Sequence, residues 1–370
     1  MRGLISDTGR PRPKRTEIIE DLRARIVSGE FAPGTQLPTL AKMQQIYGAS
    51  DVTIRRAVHY LRDHEFIETR ERSGMFVAEH PPCMCTIGIV MPYDFQRDRS
   101  QYLIALENEV KHLAETQASS NGLKRKFVFF SEIEGPPEDT RIHHLQLFNA
   151  VESELVGGLF FPGPPLRFRD TAVLNNPNVP CVGTVYFPMP GMMRLSMSPL
   201  SVVKKALQIL ASRGRRRVAL ITVHGQGGTD GRSDEFVSLA ATYGLESHLW
   251  WVLGTAPSTP GWARNCTELL FRNRRRNEVP DAVIIGDDNL VPAATAGIAA
   301  ANVRVPDEVE VVAHTNFPWP TRSEVQAIRI GLDIRRMLAI AVDLIERKRN
   351  GDGTPDLINI EPCLEGEATA

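Results

Sequence analysis

The sequence predicts an α/β protein in which a small helical module, closed by a hairpin, precedes a larger domain of two doubly wound lobes. Three observations carry that reading. Apolar residues recur at helical spacing through 18–61 with turn residues between the runs. A basic hairpin pattern fills 66–78. From residue 86 onward, short apolar strands alternate with helical stretches.

Taken in order, Arg10, Arg12, Lys14 and Arg15 lie among prolines in a basic arm, residues 1–15, that should order only against phosphate. Ile18, Ile19, Leu22 and Ile26 mark the first helix, and Gly29 stops it. Phe31-Ala32-Pro33-Gly34 is turn chemistry, and Thr39 offers a hydroxyl cap to a second helix running through Met43 to Tyr47. Gly48-Ala49-Ser50 is a tight turn ending in another cap. In the third helix Ile54, Ala57, Val58 and Leu61 form a buried stripe, which turns Thr53, Arg55, Arg56 and His59 outward. Phe66–Thr69 and Met75–Ala78 are strands joined at Arg70-Glu71-Arg72-Ser73-Gly74. Such a winged helix-turn-helix, residues 16–78, places its third helix in the major groove of double-stranded DNA and its hairpin in a neighbouring groove. The candidate DNA-binding residues are Thr39, Lys42, Ser50, Thr53, Arg55, Arg56, Arg72 and Gly74.

This segment resembles the winged-helix domain of the GntR family of bacterial transcription factors. The resemblance rests on Gly29, Pro33-Gly34-Thr35-x-Leu37-Pro38-Thr39, Tyr47-Gly48, Ser50-x-x-Thr53-Ile54-Arg55-x-Ala57, Leu61 and Gly74-Met75-Phe76-Val77. It implies operator binding. The family commonly has basic residues where this chain has Ala41 and Asp51, and an acid there suits the helix dipole but repels phosphate. More of the contact then falls to Lys42, Arg55, Arg56 and the wing.

Composition sets the bounds. In 370 residues, 42% hydrophobic and 24% charged, there is room for two or three globular domains, and a net charge of −1 confines any DNA-binding face to a local patch. No apolar run approaches about 18 residues, and no signal peptide precedes the first helix, so no membrane partner and a cytoplasmic location are expected. The five cysteines are scattered, which favours free thiols, and Cys83-Met84-Cys85 has no neighbouring ligand for a metal. His80-Pro81-Pro82 reads as a stiff extended spacer within a linker, residues 79–85, with the cysteines beginning the next strand.

Across 86–370, strands are expected at Thr86–Met91, Phe127–Phe130, Leu159–Phe161, Val179–Gly183, Val218–Thr222, Leu249–Leu253, Ala282–Ile285, Val309–Ala313 and near Val325–Ile330. Helices are expected at Tyr102–Glu115, Arg141–Glu152, Leu200–Arg213, Ser233–Tyr243, Trp262–Arg274, Asn289–Ala301 and Ile334–Lys348. That alternation builds parallel sheets covered by helices, with ligands outside the carboxyl ends of the strands.

This region resembles the effector domain of LacI/GalR regulators, which is periplasmic-binding-protein-like, and the whole arrangement resembles that of arabinose-responsive repressors. The carrying segments are Ile87-Gly88-Ile89-Val90-Met91-Pro92, Val156-Gly157-Gly158-Leu159, Val179-Pro180-Cys181-Val182-Gly183, Arg217-Val218-Ala219-Leu220-Ile221, Pro280-Asp281-Ala282-Val283-Ile284 and Val305-Pro306-Asp307-Glu308-Val309-Glu310-Val311-Val312. The resemblance implies a small polar effector, a sugar or sugar derivative, held by Tyr93, Asp94, Gln101, Arg232 and Asp288, with Tyr102 beside them. Ser198 and Thr315 stand where sugar-binding relatives often have aspartates, and an aromatic wall could come from Trp319, Trp251, Phe161 or Tyr186. Arg232 and Asp288 could equally pair with each other structurally.

The sequence therefore points to a ligand-responsive, homodimeric regulator that represses carbohydrate-related genes, with no cofactor. The alternative is a transcription factor whose α/β domain has lost its ligand and serves dimerisation or partner docking. Catalysis is not expected: no Gly-x-Ser-x-Gly turn occurs, and His143-His144 has no acid or cysteine at catalytic spacing.

Overall fold

The computed structural model describes residues 14–91, 100–116, 125–131, 140–223, 233–256, 258–272 and 279–368. The N-terminal module comprises α1 (Lys14–Val27), α2 (Leu40–Tyr47), α3 (Asp51–Asp63) and a hairpin of β1 (Ile67–Arg70) and β2 (Gly74–Val77). Local chemistry sets these boundaries. The Thr39 hydroxyl accepts from the Lys42 amide at 3.3 Å and the Ser50 hydroxyl from the Thr53 amide at 3.3 Å, each satisfying an orphan donor of the helix it opens. Gly48 ends α2 in the left-handed conformation, φ +56°, which a side chain would resist. The stripes Ile18, Ile19, Leu22, Ile26 and Ile54, Ala57, Val58, Leu61 then close on Met43 and Phe66 as one core. Residues 34–37 add a third edge to the wing: the Leu37 amide donates to the Met75 carbonyl at 2.8 Å and the Val77 amide to that of Thr35 at 2.9 Å.

The expected linker is not a spacer. Pro81 is extended, but Pro82 opens a short helix, α4 (Pro82–Cys85), because a proline at the first helical position lacks only an amide that would be orphaned there anyway. Cys83, Met84 and Leu155 pack into the core of the N-terminal module. Arg23, 8% exposed on α1, donates to the Ser153 carbonyl at 2.7 Å and lies 3.7 Å from Glu154. Arg349 donates to the Met84 carbonyl at 2.7 Å. A Cβ at position 157 would stand 2.6 Å from the Cys83 carbonyl, so Gly157 permits this seating. Burial pushes the Cys83 thiol up to about 12 and that of Cys85 to about 11, as suits inert packing groups.

Beyond the joint come β3 (Thr86–Met91), α5 (Gln101–Thr116), β4 (Lys126–Ser131), α6 (Thr140–His143), α7 (Leu145–Glu152), β5 (Gly158–Phe161), α8 (Ala172–Asn175), β6 (Cys181–Thr184) and β7 (Met192–Ser196). Next are α9 (Pro199–Ser212), β8 (Val218–Val223), α10 (Ser233–Thr242), β9 (Val252–Thr255), α11 (Pro260–Phe271), β10 (Ala282–Ile285) and α12 (Val291–Ala300). The chain closes with β11 (Glu310–Phe317), β12 (Ile328–Asp333), α13 (Ile334–Arg349), β13 (Leu357–Asn359) and β14 (Cys363–Leu364). Two six-stranded sheets result, ordered β13-β7-β6-β5-β3-β4 and β14-β12-β11-β10-β8-β9; every pairing is parallel except β12 with β14. They form an N-lobe and a C-lobe, and the chain crosses between them at Met197–Ser198, at Asp333–Ile334 and between Asn359 and Cys363.

Some expected elements shift. The strand at 249–253 starts later, at Val252, after a tight turn at Leu249–Trp251, and the helix at 141–152 breaks at His144. Strand β7 is additional; its Met-Met-Arg-Leu-Ser run lacks the β-branched signature. Strand β11 extends four residues beyond Ala313, because β12 pairs with it as far as Phe317.

Arg23→Ala should loosen the joint. Removing a buried charged donor leaves the Ser153 carbonyl and Glu154 underpaired, at a cost of about 1–3 kcal/mol. Scanning calorimetry is expected to show the module melting separately from the lobes in the variant and together with them in the wild type.

Candidate functional site

Two surfaces collect polar chemistry. The first is a groove of about 680 Å³ between α3 and the wing, with Gln36, Thr39, Arg55, Arg56, His59 and Gly74 among its walls. Arg55, Arg56 and His59 are exposed on the face of α3 opposite its buried stripe. Lys42 is exposed on α2, and Arg72 is exposed at the wing tip with φ +59°. Thr39 and Ser50 commit their hydroxyls to helix caps, and Thr53 lies 2.9 Å from Ser50 through its own hydroxyl. Arg70 is engaged by Glu68 at 2.7 Å and Glu79 at 3.1 Å and lies over the Phe76 ring. It stiffens the hairpin, while Arg72 supplies the charge at its tip. The Gln36 side-chain amide donates to the Ser73 carbonyl at 2.7 Å and fixes the turn.

The second surface is a cleft of about 890 Å³ at the carboxyl ends of both sheets. The N-lobe contributes Tyr102, Thr184 and Tyr186, and the C-lobe contributes Asp287, Asp288, His314 and Asn316. Asp288 is 3% exposed and accepts a hydrogen bond from the Asn316 side-chain amide. That bond uses the Asn316 amide as its donor; the Asn316 carbonyl oxygen and His314 Nδ1 are both buried atoms with no hydrogen-bond partner among the described residues. Asp287 folds onto its own loop, accepting from the Asn289 amide at 2.9 Å and side chain at 2.8 Å. Asn289 Oδ1 in turn accepts from the backbone amide of Gln101 at 2.8 Å, joining C-lobe to N-lobe at the mouth.

Of the expected effector residues, Asp288 lines the cleft, and Gln101 meets its edge through the backbone. Tyr93, Asp94 and Arg232 lie outside the described residues. Thr315 is buried and faces away; its neighbours His314 and Asn316, missed in the sequence, face the cleft. Ser198 is part of the lining. Of the four aromatic candidates, Tyr186 lines the cleft, whereas Phe161 belongs to the N-lobe core and Trp251 to the C-lobe core. Trp319 donates from its indole to Glu109 at 3.1 Å.

The family of bacterial regulatory proteins, gntR family, matches residues 14–77, and the periplasmic binding protein-like domain matches residues 207–364. The chain carries a gntR-family reading head joined to a periplasmic-binding-protein-like domain. The mannosyl-D-glycerate transport/metabolism system repressor MngR of Escherichia coli (strain K12) is 35% identical over 68 residues, 18% of this chain and 28% of that protein. The HTH-type transcriptional regulator Rv1152 of Mycobacterium tuberculosis is 35% identical over 68 residues, 53% of its length. The matched segment thus spans about a quarter of one relative and half of the other. A LacI family transcriptional regulator from Lactobacillus casei with bound sucrose superposes with a TM-score of 0.53 at 17% identity, covering 76% of this chain and 98% of that one. A LacI transcriptional regulator from a Rhodococcus species gives 0.54 at 18% identity, covering 75% and 96%. These likenesses show the fold of the periplasmic-binding-protein-like domain.

In the cleft of that domain, burial pushes the Asp288 carboxyl up from 3.8 to about 6; His314 and the Asn316 hydrogen bond oppose the rise, and Asp287 adds to it. Because the folded protein holds this proton more tightly than the unfolded chain, the contribution to stability is complete below about 3.8 and lost as pH rises through about 6. Asp288→Asn is expected to remove that loss, on the order of 3 kcal/mol at about 1.4 kcal/mol per unit. Urea denaturation of both proteins at about pH 4 and about pH 7.5 checks it: the curves should diverge only at the higher pH.

Proposed function

We propose that the protein is a ligand-responsive repressor of carbohydrate-related genes, binding operator DNA through the reading head and a small polyol or sugar between its lobes. One observation carries the effector half of this reading. Asp288, Asn316 and His314 stand together at the strand ends, the first two buried and the third half-buried, and two of the three hold buried atoms with no hydrogen-bond partner among the described residues. Buried polar atoms need partners. An acceptor-rich floor of this kind suits a ligand that presents several hydroxyl donors, and Tyr186 and Tyr102 add an amphipathic wall. The sucrose-bound structural neighbour and the mannosyl-D-glycerate repressor support the same chemical class. The role is recognition without chemistry, on double-stranded DNA in the cytoplasm; among the described residues no helix is long and apolar enough to cross a membrane.

The proposed mechanism is a population shift. Effector binds one lobe arrangement better, and only that difference in affinity can change the affinity for operator. A thermal-shift series of sugars and sugar derivatives on the whole protein is expected to yield at least one that raises the midpoint, by mass action. With that ligand, Asp288→Ala should abolish its influence on operator affinity while ligand-free operator binding stays near wild type. If no sugar shifts the midpoint, the α/β domain acts as a dimerisation or docking module.

A homodimer completes the reading, since two-fold operators require two heads. On α11, Trp262 and Leu269 are 62% and 65% exposed and stand two turns apart with half-buried Cys266 between them, an apolar stripe that water does not favour. A second copy covers it in this proposal. The double substitution Trp262→Glu with Leu269→Glu is expected to shift sedimentation from dimer to monomer and to lower operator affinity, with circular dichroism unchanged.

A further inference from the structure

Asp51 opens the recognition helix at the place where a carboxylate suits the helix dipole and repels the DNA backbone. Its two oxygens are both occupied. Oδ1 accepts from the Gln44 side chain at 3.0 Å, and Oδ2 accepts from Arg55 Nε at 2.6 Å. Gln44 belongs to α2 and Arg55 lies one turn further along α3, so a single carboxylate ties the two helices of the reading unit to one guanidinium. The Arg55 side chain is mostly exposed and borders the groove between α3 and the wing.

The geometry distinguishes two uses of an arginine. A phosphate contact needs only charge, whereas reading a base needs a guanidinium held in one plane and direction. With Nε on Asp51, the Nη1 and Nη2 end remains as a two-pronged donor, the shape that matches O6 and N7 of guanine in the major groove. The pair is electrically near neutral, so it adds little to sequence-independent attraction. A net contribution to affinity for any DNA is given up, and orientation is gained.

We propose that Asp51 is a positioning residue for sequence specificity: it holds Arg55 to read one guanine in each operator half-site. This rests on the DNA-binding reading above. The test is selection of binding sites from random-sequence duplex DNA by the full-length protein, for wild type, Asp51→Ala and Arg55→Lys, followed by titration of the selected and scrambled duplexes. The wild type is expected to select a two-fold motif with a fixed guanine. Asp51→Ala should lose discrimination at that one position, by about tenfold or more, while binding the scrambled duplex more tightly because a repelling charge has gone. Arg55→Lys, which keeps the charge but not the fork, should lose the same guanine.

Identical motifs from wild type and Asp51→Ala overturn the assignment. So does a uniform loss at every position in Asp51→Ala with no change in Arg55→Lys, the mark of a merely structural acid. Should Asp51→Ala fail to fold by circular dichroism, the Arg55→Lys motif decides alone, and retention of the guanine refutes the proposal. A wild-type protein that selects no motif overturns the DNA-binding reading itself, and this assignment with it.

Discussion

How the DNA-binding head is mounted on the lobes depends above all on the seating of the Pro82–Cys85 turn and of Arg23 against the N-lobe. A free spacer would leave the head to diffuse on a tether, with its orientation independent of the cleft. Here Cys83 and Met84 complete the head's own core together with Leu155 of the N-lobe, so apolar burial is shared across the boundary. Arg23 adds direction to that non-directional attraction. A guanidinium this deeply buried is costly unless paired, and the Ser153 carbonyl and Glu154 supply the pairing only when α1 sits in one orientation. The head and the N-lobe therefore behave as one body in this arrangement.

Helix α13 carries the joint toward the cleft. It starts at the second lobe crossing, capped by the Asp333 side chain on the Arg336 amide, and ends sixteen residues later at Arg349, which holds the Met84 carbonyl. At about 1.5 Å per residue that is a rod of some 24 Å. Near its start, Arg335 donates at 2.7 Å to Glu109, whose carboxylate is fully buried and also accepts from Trp319 of the C-lobe. Glu109 thus ties the rod, the N-lobe helix α5 and the C-lobe into a single polar node. A buried carboxylate with two charge-assisted or indole donors is stable only while both stay in place. The node therefore resists sliding of one lobe over the other, and relative motion is left to rotation about the crossings.

Much of the fold was legible because its signals are periodic. The stripe Ile54, Ala57, Val58, Leu61 and the caps Thr39 and Ser50 are statements about a few adjacent residues, and the structure places them as read. Asp288 was expected only through the family resemblance, and it lines the cleft. The rest depended on partners distant in sequence. His314 and Asn316 sit where apolar alternation stops, so the strand was read as ending at Ala313; it continues because β12 supplies backbone hydrogen bonds that no local pattern announces. The Pro81-Pro82 pair read as a spacer, since a proline opening a helix differs from one extending a linker only in what receives the following residues. Asp51 read as a repelling charge; Arg55 stands at i,i+4 from it on the same helix, whereas the Gln44 bond that reaches it from α2 is what no spacing announces.

These contacts define a lever when combined with the proposed α11 pairing. Strand β3 and the head form one body on the N-lobe side, while α11 belongs to the C-lobe beyond the crossings. If two copies hold each other through their C-lobes, rotation about the crossings moves each head with its N-lobe relative to the fixed dimer contact. Half-sites on a duplex lie about one helical turn, roughly 34 Å, apart, so a modest rotation at the cleft is magnified at heads mounted on the far side of the N-lobe. The Gln101–Asn289 hydrogen bond at the cleft mouth lies on the path of that rotation. A ligand bridging Tyr186 on one wall and Asn316 on the other would bias the same angle. Sensing and reading are then coupled by rigid-body geometry, and the coupling is only as strong as the seating of Cys83 and Arg23 that makes the head part of the lobe.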